Sequence, residues 1–312
     1  MGKRSRVKAR SVDAPAGEVG PRQPCPCGSG RRYKACHGGT AGAPPAFVAR
    51  PFEGLPGECD LVAMREFLPA ATAPATIKGH EDRTVVFCSL LPAAAPAIVR
   101  PDGEVWLGLQ VLHSYRDPSR DLAAVLLAAL DAEPGTDLGL SEDPGDGPRL
   151  QDLMVGAGLD VSVHDGFDYW LAGLEDPDGS LASALEQANE AISPSTRLTS
   201  VPAAYWADVT TKEYLRWAMP YEEDGLLDAL ARLHVAGKDR LVDDARLVGM
   251  FRAHGLLVPV WDLEAGTGAE VLEKPAATFL AALEDAIASG EQLTSDERSA
   301  RAGLANRQLT LR

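Results

Sequence analysis

Cys25, Cys27, Cys36 and His37 lie within thirteen residues of one another, in PCPCGSGRRYKACHG (Pro24 to Gly38). Eleven Cys and His in 312 residues average less than one per window of that size. Three thiols and an imidazole are the four soft donors that a closed tetrahedral zinc site takes, and with all four positions filled the metal is structural rather than catalytic. Cys25 and Cys27 approach from one segment. Gly28-Ser29-Gly30 lets the backbone turn tightly and aim amide N–H groups at thiolate sulfurs, and Cys36 with His37 close the site from the other side. About 18 residues cannot bury enough apolar surface to fold alone, so the metal would supply their folding free energy. The competing readings are a disulfide pair and a chance cluster; the first runs against a reducing compartment.

These residues resemble the SEC-C motif, Cys-x-Cys-x-Ser-Gly followed after five residues by Cys-His or Cys-Cys, and Cys25, Cys27, Ser29, Gly30, Cys36 and His37 all fall where the motif places them. The motif is found at the C-terminus of the preprotein translocase motor SecA and in many unrelated bacterial proteins. The resemblance implies zinc held by Cys25, Cys27, Cys36 and His37. It also implies a small basic surface, here Arg31, Arg32, Tyr33 and Lys34, for a chaperone (SecB), a translocation component, the ribosome or anionic phospholipid. The layout as a whole is similar to an uncharacterised bacterial family with a basic head, an SEC-C knuckle and a body beginning near LVAMREFLPAATAPA (Leu61 to Ala75), for which the resemblance implies no activity. The motor itself is excluded, because no Gly-x-x-x-x-Gly-Lys-Ser/Thr loop is present to cradle phosphates.

Elsewhere the chemistry-bearing residues are sparse. There is no Gly-x-Ser-x-Gly elbow. Asp176-Pro177-Asp178-Gly179-Ser180 has its Gly at the fourth position instead of the sixth that a calcium loop needs, and reads as a turn. Glu222-Glu223-Asp224 follows Pro220, where acids favour the start of a helix. Cys59 and Cys88 read as core residues. Tyr169, Trp170, Tyr205, Trp206, Tyr214 and Trp217 read as one aromatic group, either bulky core or a groove for a peptide or base.

The charge is uneven. Residues 1–40 hold nine Lys or Arg against two acids, a balance of +7, which leaves −22 for residues 41–312 out of a formal net charge of −15. A basic head on an acidic body points to a tail that touches anions, and residues 1–40 are the place where nucleic acid would bind. The longest apolar run, Leu122 to Leu130, has nine residues where a membrane span needs about 20. The basic N-terminus lacks the apolar stretch of a secretory signal, so the expected location is the cytoplasm.

Five segments must position these residues. A basic tail (1–22), the knuckle (23–40) and a Pro- and Gly-rich linker (41–57) precede an α+β globular domain (58–290) and a C-terminal helix or tail (291–312). Helical spacing marks Leu61 to Leu68, Asp121 to Ala132, Leu181 to Ile192, Asp239 to His254 with Gly255 as its cap, and Ala276 to Ala288. Thr294 and Glu297 form a capping box. Strands are expected at Thr84 to Leu90, at Ile98 to Arg100 with Glu104 to Gln110 as a hairpin, and at Asp160 to His164 with Phe167 to Leu171 as a second hairpin. A last strand, Leu256 to Trp261, is placed at an edge by Pro259. The order strand, turn, strand, helix recurs at 96–130 and 202–233, a faint internal echo. The function these readings favour is a zinc-stabilised, non-enzymatic adaptor. An enzyme with its site in the body and a nucleic-acid or ribosome binder are the alternatives.

Overall fold

The computed structural model describes residues 23, 32, 47–112, 117–140, 144–171, 180–190 and 192–309. The chain divides into two compact units, Met1–Ala46 and Phe47–Arg312, and the second is an α+β domain. This domain opens on the end of the stretch read as a linker, which carries Phe52 and Leu55 into the core. Pro and Gly mark tight turns as well as linkers. Gly57, at φ 77°, starts α1 (Glu58–Glu66), and a side chain there would collide with the Leu159 amide.

The first sheet has the order β5-β3-β4-β2-β1-β6, formed by β1 (Ala71–Ile77), β2 (Val85–Cys88), β3 (Ala97–Val99), β4 (Val105–Gly108), β5 (Asp137–Leu138) and β6 (Met154–Val155). β2 and β4 are parallel and the other pairs antiparallel. β7 (Ser162–Val163) also pairs with β1, so β6 and β7 share one edge end to end. Ala71 O accepts from Ser89 N on the β2 side, so alternation turns Pro74 toward the other edge, into the gap between β7 and β6. The missing proline N–H therefore leaves no ladder bond unmade. α2 (Pro118–Leu130), with Pro at its start, packs against β3 and β4; α3 (Leu150–Leu153) is a single turn and α4 is Ser180–Asn189.

The second sheet is wholly antiparallel, in the order β11-β12-β10-β9-β8: β8 (Ser195–Arg197), β9 (Ala204–Asp208), β10 (Glu213–Trp217), β11 (Arg246–Ala253) and β12 (Leu256–Leu263). In β12, Leu256, Val258 and Val260 enter the core shared with α1, α2 and the first sheet. Leu257, Trp261 and Leu263 face α5 (Glu223–Val235), α6 (Glu273–Ala288) and α7 (Ser295–Ala305). A strand covered on both faces reads as a continuous apolar run, which is why LLVPVWDL shows no polar alternation.

Three expectations are corrected. Asp239 to His254 is not a helix: its second half is β11. The stripe Leu241, Ala245, Val248, Phe251 fits a helical period, yet with both faces buried the strand carries no period-2 signal to compete with it. Gly255 (φ 83°) is not a helix cap. With His254 (φ 48°) it forms the two-residue turn between β11 and β12, a position that also requires positive φ. Pro259 lies in a central strand; regular pairing with β10 ends at Val260 and resumes at Leu257, so the proline falls in a break in that ladder.

The hairpin read at Asp160 to Leu171 is also absent, since β7 pairs with β1 and Asp168–Leu171 is a turn of 3₁₀ helix. Gly166 serves close packing there, with Asn189 Nδ2 2.9 Å from where a Cβ would sit. The echo between 96–130 and 202–233 survives as element order, β3-β4-α2 against β9-β10-α5. The strands beside the two hairpins differ: β2 runs parallel to β4, whereas β12 runs antiparallel to β10.

Candidate functional site

Of the residues singled out from sequence, Cys25, Cys27, Cys36, His37, Arg31, Tyr33 and Lys34 lie outside the described residues, as does Asp176 to Gly179; Arg32 is described and exposed. Within the described residues no group of three or more His, Cys, Asp or Glu could hold a metal ion. Cys59 and Cys88 are free thiols, and burial pushes both up, Cys59 to about 12. Both stay protonated near neutrality and neither is an activated nucleophile.

The densest set of interacting charges in the body runs along α1. Glu58 takes Arg50 in a two-pronged pair at 2.7 and 2.9 Å. Asp60, buried in the first turn of the helix, accepts from the Tyr205 hydroxyl at 2.5 Å and from Arg197 at 3.2 and 3.3 Å. Burial raises the Tyr205 phenol, so it remains a donor. Arg65 donates to the carbonyls of Leu109 and Val111. Beside it, His254 Nε2 is 2.7 Å from Glu66 Oε1 and 2.9 Å from Arg65 Nε. One ring nitrogen cannot donate to the carboxylate and accept from the guanidinium together. With the proton on Nε2, Arg65 turns to Glu66, 3.5 Å away. The His254 hydrogen bond is the main reason that the Glu66 carboxyl lies below its usual range. Each acid here faces a base or a hydroxyl, and the network fastens α1 to the second sheet.

The acids after Pro220 are occupied in the same way. Glu222 reaches Arg50, Glu223 pairs with Arg252, and Asp224 with Asp228 holds Arg301. Glu213 accepts from Trp206 Nε1 and the amides of Gly266 and Gly268. Glu273 caps the 199–200 turn: burial alone would raise its carboxyl, but hydrogen bonds from the Thr199 hydroxyl and the Thr199 and Ser200 amides outweigh that and hold it at about 2, while the Ser200 hydroxyl donates to the Glu273 carbonyl. A depression of about 640 Å³ at the second sheet is lined by three bases, Lys212, Arg240 and Arg246, and four acids, Asp243, Asp244, Asp262 and Glu264; Lys212 is bound to Asp262.

The six aromatic residues read as one group fall into two places. Tyr205 and Trp217 are buried core of the second sheet, with Trp206 and Tyr214 half-buried beside them. Tyr169 and Trp170 lie on the outer face of the first sheet with Phe167, Trp106 and His164. There Trp170 stacks on Phe167 at 4.3 Å, and both Tyr169 and Trp170 donate to Leu90 O. Phe167 and Trp106 carried no signal of this role in the sequence, because Trp106 meets Tyr169, far along the chain, only through the fold.

An α+β body preceded by a Cys- and His-rich knuckle defines the class, a SEC-C motif protein: the SEC-C motif matches residues 22–39. The body matches, over residues 51–312, the family of unknown function DUF5926, and the chain belongs to that family. The protein translocase subunit SecA of Rubrobacter xylanophilus is 61% identical over 28 residues, 9% of this chain and 3% of that protein. The likeness is thus to the motif and not to the motor. No solved structure matches. No helix among the described residues is long and apolar enough to cross a membrane.

Proposed function

We propose that this protein is a cytoplasmic adaptor whose SEC-C knuckle binds one zinc ion through Cys25, Cys27, Cys36 and His37. In this reading Arg31, Arg32, Tyr33 and Lys34 face a protein of preprotein translocation or the ribosome. The observation that carries the reading is the SEC-C match at residues 22–39, with 61% identity to a translocase subunit over 28 residues. The donor set fits the metal: three thiols and an imidazole fill a tetrahedral site, and binding them contributes on the order of 10–16 kcal/mol to ordering so short a segment. Zinc supplies fold rather than reaction chemistry here. The body's acids, paired along α1 and α5, make a stiff acidic support.

Metal analysis of the full chain and of Cys27→Ser tests the first half: about one zinc per intact chain, lost in the variant, is expected, and an intact chain without zinc overturns it. Sedimentation with purified ribosomes and pull-down on SecA and SecB test the second, where Arg31→Glu with Arg32→Glu must weaken the contact. The +7 balance of residues 1–40 favours a second reading, direct contact with RNA. That contact would weaken steeply with salt and vanish on nuclease treatment.

A further inference from the structure

Among the described residues Arg100 is the buried arginine, 5% exposed, and it has no carboxylate partner. The buried acids Glu58, Asp60 and Asp117 each face an arginine instead. A guanidinium carries five donors. Arg100 spends one on Trp170 O at 3.2 Å and lays its plane over the Trp106 ring at 4.1 Å. A desolvated cation so placed is ordinarily compensated by an anion.

Arg100 also lines a cavity of about 260 Å³ between the β3–β4 hairpin and the Asp168–Leu171 turn, walled by Pro92, Ile98, Val99, Pro101, Trp106 and Trp170. Its walls are fixed. The Arg100 backbone is held in the tight turn to Glu104 (2.8 Å), Trp106 Nε1 donates to Glu104 Oε2 (3.1 Å), and Trp170 Nε1 donates to Leu90 O (3.0 Å). Apolar, pinned walls around one convergent polar group are the make-up of a small-molecule site, and this volume falls just under the range of about 300–1,000 Å³ for drug-sized ligands. Asp137, the other charged residue at the cavity, disfavours a second negative charge on the occupant.

We propose that this cavity binds a small organic monocarboxylate with a flat apolar body, the carboxylate on Arg100 and the body against Trp170, Ile98 and Pro92. Planar, bidentate recognition of a carboxylate is what a guanidinium does best, and its stack on Trp106 leaves its edges for that use. This site is separate from the knuckle and stands whether or not the adaptor reading does.

The test is calorimetric titration of the full chain with phenylacetate, with phenylacetamide and inorganic phosphate as comparison probes. Saturable binding of phenylacetate with a Kd on the order of 1 mM or tighter is expected. Phenylacetamide and Arg100→Met must each weaken binding by at least about tenfold, with phosphate showing none. No saturable phenylacetate binding, equal binding of the amide, preference for phosphate, or an unchanged Kd in a folded Arg100→Met overturns the site. If Arg100→Met does not fold, Trp170→Leu decides: a Kd raised at least about threefold with phosphate still silent supports the site, and an unchanged Kd overturns it.

Discussion

Two stretches of the body share an element order and differ in what closes them. β3-β4-α2 and β9-β10-α5 are each a hairpin followed by a helix of 13 residues. The second is sealed: one face of its strands joins the common core, and the other meets α5, α6 and α7 through Trp217, Trp261 and Phe279, packed at 5.2–6.2 Å. The first meets the common core on one face only. Among the described residues its outer face is covered by Leu91, Trp106 and the aromatic turn at 167–171, itself packed on Leu185 of α4, and Arg100 lines a gap there. Among the described residues, the hairpin roofed by three helices is core, and the hairpin roofed by the 167–171 turn borders a cavity.

Trp261→Ala is the sharpest way to break that contrast. Trp261 is fully buried and should cost about 3–5 kcal/mol in urea unfolding, while Trp170→Ala, half-exposed over the cavity, should cost about 1–2. Equal costs would mean that both hairpins are equally sealed. Next is Asp60→Asn, which leaves Arg197 without its counter-charge and sets an amide NH2 where Oδ2 accepted from Arg197, while Oδ1 can still accept from the Tyr205 hydroxyl. A loss of about 2–3 kcal/mol is expected by the same measurement, with the phenylacetate affinity untouched. Gly255→Ala should lose about 1–2 kcal/mol, since φ is 83° and the new Cβ would lie 2.7 Å from Arg50 Cβ; an unchanged midpoint would show that the turn yields freely.

The smallest effect concerns acid. Glu273, held at about 2 against an ordinary 4.5, contributes stability that is complete above pH 4.5 and is lost as pH falls from there toward 2. Glu273→Gln should flatten that part of the stability curve and leave the curve near neutrality almost as steep as before. A curve unchanged at low pH would place the turn at 199–200 under other control.

Where local chemistry decided, the sequence was readable. Thr294 and Glu297 announced α7, and both capping bonds form, at 3.3 and 2.7 Å. Pro101-Asp102-Gly103 announced the β3–β4 turn, in which Gly103 has φ 90°. The errors came where tertiary covering decided. β11 is buried on both faces, so Val248 and Phe251 fitted a helical stripe as well as a strand. His254-Gly255 satisfied the positive φ of a hairpin as readily as that of a helix end. Arg100 read as one more polar residue before a turn, because the turn that buries it comes from residues 168–171 and nothing near Arg100 forecasts them. Cys25, Cys27, Cys36 and His37 lie outside the described residues, and their zinc chemistry is an expectation from spacing within one short segment.

Gly249 also carries a consequence for the end of the chain. A Cβ on it would sit 2.6 Å from Arg307 O, because residues 307–309 lie along β11, with Met250 N donating to Arg307 O and Leu309 N to Met250 O. Those three residues cover the outermost strand of the second sheet. Cutting the chain before Arg307 would leave the Met250 amide and carbonyl unpaired on that edge strand, where an added strand could take them up. Versions of the body trimmed before Arg307 should therefore be judged first by whether they stay dispersed.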